Sequence, residues 1–176
     1  MKKNLLLVLS LILVSRAFCQ DTAWSAKKIN EFLKVDLPAN YTYEEQGIVK
    51  SYIGNIEQAY FGVSYYDTAM RVKDAESFKI SLTGFAHGIS KRVQQDEYNI
   101  TLKDTSVGNT KGLLIRFEPN AKAAYPQRIV YYVTLANDHF YSFLYSMTAD
   151  VKTDILQRRF LSMIKFDADK IKESTY

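Results

Sequence analysis

Two histidines, one cysteine and a few adjacent acidic pairs are the residues of this 176-residue sequence that could carry acid–base, nucleophilic or metal chemistry. Histidine titrates nearest neutral pH, but the sequence sets no carboxylate beside His87 or His139. His87 follows Phe85 by two positions in a helical stretch, about 200° around the helix from it, so it lies opposite the apolar stripe and faces solvent. His139 borders a predicted hairpin turn. Zinc sites need clustered Cys and His ligands. Cys19 is the one cysteine, and neither His-x-x-x-His nor His-Glu-x-x-His occurs. A Gly-x-Ser-x-Gly nucleophile elbow and a glycine-rich phosphate loop are also missing. Glu44-Glu45, Asp96-Glu97 and Asp167 with Asp169 could move protons or hold calcium, but they fall in predicted turns and near the chain end, where solvated charge is the ordinary role. The sequence calls for no catalytic residue, no metal and no cofactor.

Side chains able to bind rather than react concentrate in residues 128–147, RIVYYVTLANDHFYSFLYSM. Asn137-Asp138 suits the positive φ angles of a two-residue hairpin loop. That loop pairs Ala136 with His139, Leu135 with Phe140, Val133 with Ser142 and Tyr131 with Leu144. It also pairs Thr134 with Tyr141, Tyr132 with Phe143 and Val130 with Tyr145. Alternation places these pairs on two faces, both largely apolar, which belongs to a strand pair central in a covered sheet. Tyr132, Tyr141, Phe143 and Tyr145 share one face. It reads either as an inner sheet face beneath a helix, its hydroxyls bonded, or as the wall of a ligand-binding pocket. On the second reading these four are the candidate ligand-binding residues.

Other elements must hold that hairpin in place. Residues 22–33 suggest a short helix bearing Trp24, Ile29, Phe32 and Leu33. Lys34-Val35-Asp36-Leu37 is extended and stops at Pro38. Residues 48–53 and 58–66 read as a strand pair turning at Gly54-Asn55, with Ala59, Phe61, Val63 and Tyr65 on one face. Asp74 reads as the N-cap of a helix over 75–93, with Phe78, Leu82, Phe85 and Ile89 as its stripe. Gly84 and Gly88 cost that helix about 1 kcal/mol each relative to Ala, which a close approach to the sheet would offset. Strands follow at 98–104 and 111–117. A last helix over 151–165, capped by Asp150, carries Leu156, Phe160, Met163 and Ile164. The pattern predicts one α+β domain over residues 20–168, an antiparallel sheet of about six strands sandwiched by helices, and a frayed C-terminal tail at 169–176.

Tyr at 13 and Phe at 10, against Gly at 7 and Pro at 3, favour a sheet-rich ordered chain. Residues 1–19 combine Lys2-Lys3 with an apolar run from Leu5 to Val14, too short for the roughly 20 residues of a membrane span. They read as a secretory signal peptide cut after Cys19. Phe18 and Arg16 are bulky where a lipid-anchoring cysteine needs small neighbours, so anchoring through Cys19 is not expected. Taking Lys2, Lys3 and Arg16 from the 23 basic residues leaves 20, against 19 acidic. That balance gives no reason to expect nucleic acid as a partner, and no stable membrane span is expected after signal removal. Asn40-Tyr41-Thr42 and Asn99-Ile100-Thr101 match the glycosylation sequon. Lys152, Arg158 and Arg159 make a basic helix edge, as solvated helix faces commonly do.

The layout resembles the PsbP/Mog-type α/β/α sandwich superfamily, which includes DcrB-like exported bacterial proteins. Val35-Asp36-Leu37-Pro38 with Tyr41 nearby, and the terminal run Phe160-Leu161-Ser162-Met163-Ile164-Lys165-Phe166, carry the resemblance, with a middle helix between two strand groups. Tyr41 stands where the family often has Trp. The resemblance implies adaptors and assembly factors rather than enzymes, with no catalytic signature to carry over.

Three functions follow as expectations. The first is an exported, periplasmic or secreted, non-enzymatic binding or adaptor protein acting on a partner that the sequence does not name. The second is a carrier of a small apolar ligand between the hairpin and the helix of Phe78, Phe85 and Ile89. The third is a hydrolase, which would require His87 or His139 to meet a Ser and a carboxylate in the fold.

Overall fold

A computed structural model of the chain describes residues 24–56, 59–67, 74–93, 95–124, 126–148 and 154–171. The predicted signal peptide and the predicted cap at Asp150 lie outside those residues. Among the described residues there are ten strands and two α-helices. The strands are β1 (Trp24–Lys28), β2 (Leu33–Pro38), β3 (Thr42–Gln46), β4 (Val49–Ile56), β5 (Ala59–Asp67), β6 (Tyr98–Val107), β7 (Thr110–Pro119), β8 (Gln127–Ala136), β9 (His139–Thr148) and β10 (Ile164–Phe166). The helices are α1 (Ala75–Arg92) and α2 (Asp154–Ser162), and Gln95–Glu97 form one 3₁₀ turn.

The strands form two antiparallel sheets rather than the single sheet of about six that the pattern predicts. One has seven strands in the order β3-β4-β5-β9-β8-β7-β6, and the other has three in the order β1-β2-β10. The predicted central hairpin is there, with φ of 49° at Asn137 and 61° at Asp138. All seven pairings predicted across it match the observed register. The β8–β9 pair lies inside the large sheet, flanked by β5 and β7, as apolarity on both faces requires.

One face of the large sheet carries Phe61, Val63, Tyr132, Tyr141, Phe143 and Tyr145, packed with Leu33, Val35 and Leu37 of the small sheet and Phe160 of α2. The other face carries Leu113, Ile115, Phe117, Val133, Leu135 and Phe140, packed with Leu82 and Ala86 of α1. The expected pair of covering helix layers is therefore corrected: α1 covers one face, and mostly sheet covers the other.

Three local readings change with it. Residues 22–33 do not supply a helix, because Trp24–Lys28 pair with β2 as β1 and the connection turns at Asn30. The Asn30 side-chain oxygen accepts the Phe32 and Leu33 amides, each at 2.9 Å, a local bond that competes with helix. Gly54-Asn55 is not a turn but the interior of β4, paired with Phe61 and Tyr60. A Cβ at Gly54 would stand 3.0 Å from the Pro38 ring, so this glycine lets the small sheet sit close on the large one. The last helix ends at Ser162, and Ile164–Phe166 turn back as β10 beside β2. Through Ile171 the predicted tail is hydrogen-bonded: the Ile171 amide donates to the Asp167 carbonyl at 3.0 Å, and the Asn137 side chain donates to the Lys170 carbonyl at 2.8 Å.

Helix α1 begins as predicted. Asp74 accepts the Ser77 amide at 2.7 Å while its own amide reaches the Ser77 hydroxyl at 3.3 Å, a reciprocal cap that satisfies donors the helix leaves open. Leu82, Ala86 and Ser90 are buried along its centre, with Phe78, Phe85 and Ile89 half-buried beside them. Gly84 and Gly88 are exposed, and a Cβ at either meets nothing within 4 Å. The expected close approach at those glycines does not occur.

Candidate functional site

The four predicted ligand-binding residues come together but are enclosed. Tyr132 and Tyr141 are 0% exposed, Phe143 1% and Tyr145 2%. Their rings stack along the hairpin, Tyr132 on Phe143 at 5.7 Å and Tyr141 on Phe143 at 6.4 Å. Phe166 of β10 closes over Tyr141 and Phe143 edge-on. Their hydroxyls are bonded inside the core: Tyr132 donates to the Thr110 carbonyl at 2.6 Å, Tyr141 accepts from the Asn30 side chain at 2.8 Å, and Tyr145 donates to the Met147 sulfur.

Burial pushes the Tyr132 hydroxyl up to about 12 from 10.0, against hydrogen bonds that pull it down. The folded protein therefore keeps this proton after the unfolded chain has released it. The stabilising contribution is complete below pH 10 and is lost as pH rises toward 12. Tyr132→Phe should flatten that alkaline loss, read as urea midpoints at stepped pH, and should cost about 1 kcal/mol at neutral pH by removing the hydrogen bond to the Thr110 carbonyl. Alkaline slopes identical to wild type would contradict the assignment.

The accessible surface of the hairpin is its opposite face. Helix α1 packs on β7 and β8, and the sheet beyond them toward β4 lies open beside it. A cleft of about 560 Å³ results. Phe85, Gly88 and Ile89 of α1 form one wall. Tyr131, Phe140, Ser142 and Leu144 of the hairpin, with Ile53, Tyr60, Gly62, Ser64 and Tyr66 of β4 and β5, form the floor, and Ile48, 70% exposed, stands at the rim. Among the described residues, no acid, lysine, arginine or histidine lines it. Burial raises the hydroxyls of Tyr60 and Tyr66, Tyr60 also through Glu44, so both stay neutral at physiological pH. Small side chains at Gly62, Ser64 and Ser142 leave the volume unfilled. The cleft can hold an uncharged apolar body and offer it hydroxyl hydrogen bonds.

The sequence pointed to a pocket between the hairpin and Phe85 and Ile89, but on the Tyr132 side of the ribbon. The floor is one residue out of phase. Both faces of the hairpin are apolar, so alternation alone did not say which would be sealed.

The histidines do not meet. His87 is exposed on α1. His139 lies across the seven-stranded sheet, beside Phe32, Tyr65 and Tyr141, with its Nδ1 2.7 Å from the Asn137 carbonyl oxygen. Among the described residues, no three His, Cys, Asp or Glu side chains gather as metal ligands would, and no helix is long and apolar enough to cross a membrane.

No family model and no curated protein matches the chain. Among solved structures it is similar to a protein from Bacteroides thetaiotaomicron, 8% identical with a TM-score of 0.46, the match covering 82% of this chain and 49% of that one. The chain thus spans about half the length of that protein. It is also similar to the Saccharomyces cerevisiae Ran-binding protein Mog1p, 9% identical with a TM-score of 0.42, the match covering 80% of this chain and 86% of that one.

Proposed function

We propose that this is an exported, non-enzymatic binding protein that carries a neutral apolar small molecule in the cleft between α1 and the β8–β9 hairpin. The carrying observation is the lining. A volume of about 560 Å³ lies within the range of small-molecule sites, which are mostly apolar with a few polar groups to set orientation. Here the walls are aromatic and aliphatic, the polar groups are serine and tyrosine hydroxyls, and among the described residues no formal charge selects an ionic ligand. The non-enzymatic part rests on the sequence, which holds no nucleophile elbow, phosphate loop or zinc-ligand spacing. Export rests on Lys2-Lys3 and the apolar run that follows. Membership of the PsbP/Mog-type superfamily is part of the same proposal and rests on the Val35–Pro38 and Phe160–Phe166 segments. A protein partner is the second reading, favoured by the one-sided pairing of β6.

Gly88→Trp tests the cleft. A side chain there enters open space beside Phe85 and Ile89, and replacing a helical glycine removes a penalty of up to about 1 kcal/mol, so the variant should fold at least as well as wild type. The neutral fluorophore N-phenylnaphthylamine should bind wild type saturably. Gly88→Trp should weaken it at least about tenfold, equivalent to roughly 1.4 kcal/mol. Equal affinity in the two proteins, or no binding to either, would overturn the proposal.

A further inference from the structure

Among the described residues, strand β6 bounds the seven-stranded sheet and is paired on one side only, with β7. The ladder tells which backbone groups face outward. The β6–β7 connection is a two-residue loop, Gly108-Asn109, and the Asn120 amide donates to the Glu97 carbonyl at 2.9 Å. Both facts set the same phase, since antiparallel ladders alternate bonded and non-bonded pairs. Thr101, Lys103, Thr105 and Val107 exchange hydrogen bonds with β7. Ile100, Leu102, Asp104 and Ser106 turn their N–H and C=O groups away from it.

Beside this edge lies a second cleft, of about 550 Å³, between the first half of α1 and the β6–β7 hairpin. Its apolar wall includes Phe78, Leu82, Leu113 and Leu102, and Leu102 is 53% exposed. Lys79 and Lys111 line it against the single carboxylate of Asp104. Lys103 projects from the other face of β6, so Lys79, Lys103 and Lys111 on and beside the strand stand against the one carboxylate of Asp104. An exposed strand edge pairs readily with another extended chain, and such added strands gain affinity from main-chain bonds and specificity from pockets for alternate side chains.

We propose that β6 receives an extended segment of a partner protein as an eighth strand, with apolar side chains entering the Leu102–Phe78 cleft, whose rim carries Lys79 and Lys111, and the alternate, acidic ones meeting Lys103 on the opposite face. Charge selects this occupant over a second copy of the chain. Antiparallel self-pairing centred on the strand would bring the two Lys103 side chains together, and a lysine in the middle of an edge strand opposes such pairing.

The test uses a fluorescein-labelled peptide of alternating valine and glutamate, followed by fluorescence anisotropy, with a valine–lysine peptide as the charge control. Leu102→Pro removes an outward N–H and places a ring in the path of the incoming strand while sparing the bonds to β7. Ser106→Pro does the same nearer the loop and serves where Leu102→Pro does not fold. Wild type should bind the acidic peptide saturably, more weakly as salt rises, and the amides of Leu102 and Asp104 should exchange more slowly in the complex. Either proline should weaken binding at least about tenfold, while Gly88→Trp, in the other cleft, should not change it. Absence of saturable binding, equal binding by the proline variants, or equal binding of the valine–lysine peptide would overturn the proposal. So would a concentration-dependent dimer abolished by Leu102→Pro, which would assign the edge to self-association.

Discussion

Phe61→Ala should lower stability by about 4 kcal/mol, the usual cost of truncating a buried phenylalanine, and the thermal midpoint by roughly 8–16 °C. Phe61 is 0% exposed in the middle of β5. Its ring meets Trp24 of β1 at 5.1 Å, Tyr145 of β9 at 5.3 Å and Phe160 of α2 at 5.0 Å. It is the point where the large sheet, the small sheet and the second helix share one contact. Removing it leaves a void walled by rings on β strands held in register, which cannot collapse freely to refill it. Phe61→Leu should cost much less, because most of the volume stays. A loss below about 1 kcal/mol for the alanine variant would mean that the two sheets are not packed through this ring.

The second large effect comes from adding one carbon. A Cβ at Gly112 would stand 2.4 Å from the Val133 carbonyl oxygen and 2.6 Å from the Tyr132 ring. Neither neighbour can step aside. The carbonyl belongs to a central strand, and the ring is buried with its hydroxyl held by Thr110. Gly112→Ala should therefore destabilise by about 3 kcal/mol, at the upper end of overpacking penalties, read as a lower urea midpoint. Combining it with Tyr132→Leu should recover only part of the loss, because the Val133 carbonyl remains. A change within about 0.5 kcal/mol would show that β7 and β8 can part at this point. Alanine at Gly84, where nothing lies within 4 Å, should have the opposite sign, since the helix gains propensity and meets no obstacle.

That contrast shows what a sequence carries and what it does not. The β8–β9 hairpin was legible because its loop chemistry sets the register; with both faces apolar, the period of two alone does not. Helix α1 was legible from its cap and stripe. Strand β3, Thr42–Gln46, is exposed along its whole length, so it has no buried face to leave a pattern. Strand β10 was absorbed into the preceding helix because Phe160, Met163 and Ile164 also satisfy helical spacing, and three residues are too few to show alternation. Gly54-Asn55 has the composition of a turn, yet the glycine is there to admit Pro38. Gly112 carries no local signal at all, because its obstacles arrive from β8. The cleft was half legible. Its helix wall and its hairpin were both in the pattern, but which side of the ribbon stays open depends on the small sheet, built from segments distant in sequence.

The small sheet also governs when the molecule can be completed. Its middle strand β2 is joined by β10 through Ile164 with Val35 and Phe166 with Leu33. A chain emerging from a ribosome makes β2 well over a hundred residues before β10. Until then the Tyr141–Phe143 surface lacks the ring of Phe166 that shields it. Final closure therefore waits until Ile164–Phe166 have been made, and any product truncated before Ile164 presents a sticky aromatic sheet to whatever chaperone or protease meets it first.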